Sequence, residues 1–298
     1  MRRREFMLLG GVLVVPACRS GVEAIDIRGS DSEISLVEGL TEAFMALHPD
    51  VAISVTGGGS GVGIASLLDG EIDLCTSSRE LLPIERLLAL RKRVEPVATV
   101  FATDALSVVV HEDNPLERID LDTLAALYRG ERATWAGLGP DTESSSAAEV
   151  VCYGRQSSSG TFEFFKRAVV HGDYAGSVRQ MSGNAQVLEA VARDPGGIGY
   201  VTVGLLHSAR ALPIRALRVS ATPESVATSP LDRAAVLAGH YPIARPLLQF
   251  TRGQPEGHVR EFMLFELSPA GEAIVEAMGF YPVVHSWRER NRRLGVNT

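Results

Sequence analysis

The chain has 298 residues, with 36 acidic and 29 basic side chains, a formal charge of −7, and 45% hydrophobic residues. That length exceeds what a single core usually holds, so two lobes are expected. The acidic balance excludes sequence-independent nucleic-acid binding, which needs a basic surface to displace phosphate counterions. A small anion is not excluded, because backbone dipoles and one or two arginines make a closed site positive beneath a negative surface.

In chain order, Arg2, Arg3 and Arg4 precede an apolar run from Phe6 to Ala17 that ends in Val15-Pro16-Ala17-Cys18. The run is too short to span a bilayer and has the charged, apolar and small-residue regions of a cleaved export signal. Residues 1–17 are therefore expected to be a signal peptide, with 18–24 as a linker. Its removal takes away three Arg and Glu5, so −7 becomes −9 over 281 residues. From Ile25 to about Arg93, β-like and helix-like patterns alternate, which predicts an α/β fold with crossover helices. The Ser30 and Glu33 pair predicts a capping box, followed by a helix ending near His48-Pro49. Strands are expected over Ala52–Val55 and Ile72–Cys75, and a helix from Val62 stops at Asp69-Gly70. A helix over Pro83–Val94 leads into a long extended stretch, Val97–His111, interrupted at Thr103-Asp104.

The second lobe is placed at 111–239, and the first at 25–110 with 240–298. Leu121–Tyr128 reads as a helix, Gly137–Ala148 as a solvated polar loop, and Val150–Tyr153 as a strand. Helices are expected from Thr161 and over Ala185–Arg193, and a strand over Ile198–Val203. Tyr241–Thr251 is a second extended stretch that returns the chain to the first lobe beside Ala105–Val110, so that two crossing strands form a hinge. Helices over Glu256–Leu267 and Pro269–Met278 complete that lobe, and the arginine-rich tail reads as a solvated helix or frayed end.

Three Ser- and Gly-rich loops follow apolar runs and open helix-like runs: Gly29 to Ser32, Gly57 to Gly61, and Arg155 to Thr161. Helix N-termini present unpaired N–H groups and partial positive charge, so several of them converging with hydroxyls suit an oxyanion. Thr76 to Arg79 is a fourth polar loop. No Gly-Lys-Ser/Thr follows the glycines, which disfavours a P-loop, and Ser60 lacks the second glycine of a nucleophile elbow. No paired general acid and base supports a hydrolase. The seven histidines show no metal-ligand spacing, so neither a metal nor another cofactor is expected. Cys75 and Cys152 each end an apolar run and read as buried, unpaired small hydrophobes.

The ordered set Ile27 to Ser32, Val55 to Ile64, Ile72 to Glu80, Arg155 with Ser159-Gly160-Thr161, Gly197 to Val201 and Tyr241 to Leu247 resembles the phosphate-binding protein of the bacterial high-affinity phosphate ABC transporter. The resemblance runs from about Ile25 to Tyr281. It implies a two-lobed periplasmic-binding-protein fold that closes on inorganic phosphate and delivers it to ABC permease subunits, as a monomer and not an enzyme. Carried over, it implies ligands at Ser32, Ser60 and Gly61 from the first lobe, and at Arg155, Ser159, Gly160 and Thr161 from the second. Ser30 joins them from the first loop. Val15 to Cys18 resembles a bacterial lipobox, which implies lipidation of Cys18 and a periplasmic or cell-surface location, and Arg3 to Met7 resembles a twin-arginine motif.

One departure concerns selectivity. Where many family members place an Asp, this chain has Ser78-Arg79, so an acidic acceptor must come from elsewhere or be absent. Asp31 is the candidate, either accepting the proton of hydrogen phosphate or merely capping the next helix. Arg79 binds the anion or forms a structural ion pair. Another tetrahedral oxyanion, or a role as a lipid-anchored phosphate sensor, remains the alternative.

Overall fold

The computed structural model describes residues 22–138, 149–293 and 295. The segment expected to be an export signal, Cys18 and most of the polar loop after Gly137 lie outside the described residues. The alternation begins with β1 (Glu23–Gly29), α1 (Ile34–Leu47), β2 (Val51–Thr56), α2 (Ser60–Asp69), β3 (Leu74–Ser77) and α3 (Pro83–Lys92). Strand β1 pairs in parallel with both β2 and β3, a pairing that requires crossover connections, here the helices. Ile25 and Ile27 pack with Leu36, Val37, Leu40 and Phe44 in the core, the apolar faces that the sequence periodicity implies. Gly70, at φ +77°, ends α2 in the left-handed conformation, which costs glycine no Cβ clash.

The chain then passes between sheets. Strand β4 (Val97–Ala105) and β5 (Ser107–His111) are separated at Leu106, and not at Thr103-Asp104. Beyond β5 the chain runs through β6 (Arg118–Asp120), α4 (Leu121–Tyr128), β7 (Val151–Arg155), α5 (Gly160–Phe165), β8 (Arg179–Met181), α6 (Asn184–Ala192), β9 (Gly197–Val201), α7 (Val203–Ser208), β10 (Ile214–Ala216), β11 (Arg218–Ser220) and α8 (Arg233–Leu237). Helix α5 runs on into a π-helical turn over Lys166–Val170. The chain ends with β12 (Ala244–Thr251), α9 (Gly257–Glu266), α10 (Pro269–Ala277) and α11 (His285–Arg293).

The two main sheets have the orders β2-β1-β3-β12-β4 and β10-β5-β9-β7-β8, with β6 and β11 as a small separate pair. Both are mixed: β12 runs antiparallel to β3 and β4, and β5 runs antiparallel to β9 and β10. This is the two-lobed α/β architecture. At the junction Ala244 faces Ala105 across the β12–β4 ladder. Leu106 N–H donates to Ile243 O at 3.1 Å, and Tyr241 Oη donates to Leu106 O at 2.7 Å. The two passages between lobes are thus bonded to each other.

Three local expectations are corrected. Strand β3 begins at Leu74 and takes in Thr76 and Ser77, because pairing with β1 and β12 continues through those polar residues. The Ser30–Glu33 capping box does not form: Glu33 is itself the N-cap residue of α1 and makes no side-chain cap bond. Helix α11 docks instead of trailing in solvent, since buried Asn291 bonds both the N–H and the C=O of Val100, at 3.0 and 2.7 Å. Cys75 and Cys152 are free and buried, one in β3 and one in β7.

Candidate anion site

The polar loops leave the C-terminal ends of β1, β2, β3 and β7, where open α/β sheets present ligand crevices. Ser60 opens α2 behind Gly59, whose φ is +98°. A Cβ on Gly59 would lie 2.6 Å from Ser158 O, and Gly61 N–H donates to that oxygen at 3.2 Å, so the second lobe presses directly on this turn. On the facing side Ser159 caps α5, accepting Thr161 N–H at 3.1 Å. A Cβ on Gly160 would come within 2.2 Å of Ser60 Oγ and 2.6 Å of Ser78 Oγ. Only glycine lets the two lobes meet there.

Hydroxyls from both lobes therefore converge. Ser32 Oγ and Thr161 Oγ1 are 2.7 Å apart across the cleft. Ser30 Oγ donates to Ser78 Oγ at 3.1 Å, and Ser78 N–H donates to Ser60 Oγ at 3.2 Å. All five of these side chains are buried. A cavity of about 330 Å³ borders Asp31 and Ser32 on one side and Thr202, Gly204 and Leu205 on the other.

Arg155 is fully buried beside them. Its Nη2 donates to Asp31 Oδ2 at 2.7 Å and to Ser182 O at 2.8 Å, whereas Nε and Nη1 have no hydrogen-bond partner. Burial pushes the guanidinium pKa down, and the Asp31 carboxylate opposes that shift. Asp31 also accepts Gly58 N–H at 2.8 Å. It is an interlobe ion-pair partner and does not cap α1. Arg79 turns to Glu85, donating from Nη1 and Nη2 to its two oxygens at 2.7 Å each, and to Glu80 O at 2.9 Å. The bidentate geometry makes it a structural pair.

Several neighbours of the site escaped the sequence reading. Arg245, fully buried, donates from Nε to Asp104 Oδ2 at 2.9 Å and from Nη2 to Thr161 Oγ1 at 3.1 Å, and its Nη2 lies 2.8 Å from the same Asp104 oxygen in the ion pair. Asp104 Oδ1 accepts Thr202 Oγ1 at 2.9 Å and Val203 N–H at 3.0 Å, so one carboxylate ties β4 to β12 and to the start of α7. Asn184 Nδ2 reaches Ser32 Oγ at 3.2 Å. A charge inside the apolar stretch before Leu106 was a usable signal for Asp104; Asn184 gave none beyond opening a helix. Glu33 is also fully buried, with both carboxylate oxygens unpartnered. Burial raises its pKa well above the usual range, opposed by Arg245 and reinforced by Asp104 and Glu266.

The family description "PBP superfamily domain" matches residues 15–270. The chain belongs to the PBP superfamily. Among relatives in this superfamily, the phosphate-binding protein PstS of Pseudomonas aeruginosa is 29% identical over 270 residues, covering 86% of this chain and 81% of its own length. The phosphate-binding protein PstS of Staphylococcus haemolyticus is 26% identical over 258 residues, covering 84% and 78%. Two solved structures share the PBP fold. A phosphate ABC transporter substrate-binding protein of Clostridium perfringens, with bound phosphate, superposes with a TM-score of 0.75 at 23% identity, covering 88% of this chain and 100% of its own. An ABC-type phosphate transport receptor of Vibrio cholerae gives 0.67 at 21%, covering 87% and 100%.

Proposed function

We propose that this protein captures inorganic phosphate between its lobes, outside the cytoplasm, and delivers it to the permease subunits of an ABC transporter. The observation that carries this reading is Arg155: a buried guanidinium with two unpartnered donors, set among hydroxyls from four loops. A dianion supplies acceptors for those donors. Charge-assisted hydrogen bonds of this kind contribute roughly 1.5–3 kcal/mol each, so a few of them reach micromolar affinity or better. Ser32, Ser60, Ser78 and Thr161 now bond to one another; on binding, they would turn those protons toward phosphate oxygens. Gly61, Ser159 and Gly160 would add their contacts at the starts of α2 and α5. The names of the relatives, all phosphate binders, support the same ligand. Binding and transfer to a permease require no bond to be made or broken, so the protein acts as a receptor and not an enzyme.

In this reading Asp31 sets selectivity. Its carboxylate accepts the proton of hydrogen phosphate and repels sulfate, which has no proton to offer near neutral pH. Lipid on Cys18 anchors a monomer to the membrane surface, and none of the described helices is long and apolar enough to cross a membrane. Calorimetry on the mature chain, stripped of bound anion by unfolding and refolding, tests both parts. Tight phosphate and weak sulfate binding is expected, with the preference collapsing in Asp31→Asn. Absence of oxyanion binding would overturn the function, and an unchanged preference in the variant would overturn the role of Asp31 alone.

A further inference from the structure

We propose a second site, for a divalent transition metal of the zinc class, on the first lobe at His48, Asp50 and His258. His48 directly follows α1, Asp50 immediately precedes β2, and His258 lies in the first turn of α9. One ligand atom from each of the three lies within 4.8 Å of the other two. Donors bound to zinc at about 2.0–2.1 Å stand roughly 3.3–3.5 Å apart in a tetrahedron, so a contraction of at most about 1.4 Å from the 4.8 Å limit completes the set. Small side-chain rotations supply that much.

Both imidazoles are held in place by neighbours. The His48 ring stacks on Phe44 with centroids 4.1 Å apart and planes at 19°, and Phe44 itself is buried. His258 Nδ1 lies 2.8 Å from Glu23 Oε2, which leaves Nε2 facing Asp50 Oδ2 at 3.9 Å and Glu261 Oε2 at 3.6 Å. A carboxylate bonded to the far nitrogen of a histidine fixes its tautomer and raises its basicity, the usual outer arrangement of a zinc ligand. Two imidazoles and a carboxylate suit zinc, nickel or copper better than magnesium or calcium. Glu261 or water would fill the fourth position.

Glu23 starts β1 and Gly29 ends it, and α1 spans 14 residues, about 21 Å, between the Ser32 loop and His48. The metal would join the end of α1, the entry to β2 and the start of α9, far from the anion. Calorimetric titration with zinc chloride tests the proposal, on the mature chain without an affinity tag, in phosphate-free buffer and with the Cys18 thiol alkylated. One equivalent should bind, with affinity falling at least ~10-fold in His258→Gln, in Asp50→Asn and, through the outer shell, in Glu23→Gln. Asp50 and Glu23 are exposed, so their variants retain the fold even if the loss of a histidine disturbs it. Phosphate affinity should be unchanged in all three. No saturable one-equivalent binding, or binding that survives in both His258→Gln and Asp50→Asn, would overturn the site.

Discussion

Arg155 and Arg245 are both fully buried where the lobes meet, and they differ in how their donors are used. Arg245 spends Nε and Nη2 on Asp104 and reaches Ser78 O and Thr161 Oγ1 as well. Arg155 holds Asp31 and Ser182 O through Nη2 and leaves Nε and Nη1 free. Enclosing an ion costs several kcal/mol, which internal partners or a ligand must offset. Arg245 has its compensation within the chain and fixes the hinge. Arg155 is under-compensated, and that shortfall is what an incoming anion can relieve. The difference marks Arg245 as a structural guanidinium and supports the proposed role of Arg155 in holding the anion.

Breaking the compensated pair should have the largest effect. Arg245→Leu leaves Asp104 buried without its cation, and unfolding in urea should show a loss of about 3–5 kcal/mol. Arg155→Gln sharpens the contrast. Phosphate affinity by calorimetry should fall roughly 10- to 150-fold, about 1.5–3 kcal/mol, while stability in urea changes by less than about 1 kcal/mol. Equal stability losses in the two variants would dissolve the distinction between them.

A smaller effect concerns Glu33, whose enclosed carboxyl has no hydrogen-bond partner. Its folded pKa is raised, chiefly by burial, above the unfolded value of about 4.3. The native state therefore holds a proton that the unfolded chain releases. Its contribution to stability is fully present below the unfolded pKa and is lost as pH rises through the folded one. Glu266, also raised by burial, acts in the same direction. Glu33→Met should stabilise the protein at pH 7 by about 1–3 kcal/mol, the cost of an unsatisfied buried group, and should flatten the decline above about pH 4.3 in urea midpoints.

Much of this was legible in the chain itself. The β1-α1-β2-α2 alternation, the stop at Gly70 and the span of α4 follow from local periodicity and local turn chemistry. The Ser- and Gly-rich loops were legible for the same reason, since a helix start and the hydroxyl that caps it are near neighbours in sequence. The capping box was a misreading: Ser30 spends its hydroxyl on Ser78, from a loop that β3 carries alongside. The arginine-rich tail likewise docks through Asn291 because its partner, Val100, is distant in the chain.

The sequence by itself determined the fold class, the loops that carry hydroxyls and N–H groups, and Arg155 as the charge among them. Only the tertiary structure decided that Arg79 belongs to Glu85, that Asp31 crosses the cleft to Arg155, that Arg245 is neutralised by Asp104, and that His48 meets His258. The reason is range. Helix capping, turns and amphipathic spacing act over a few residues, whereas the partner of a buried charge depends on which distant loops the sheet order brings together.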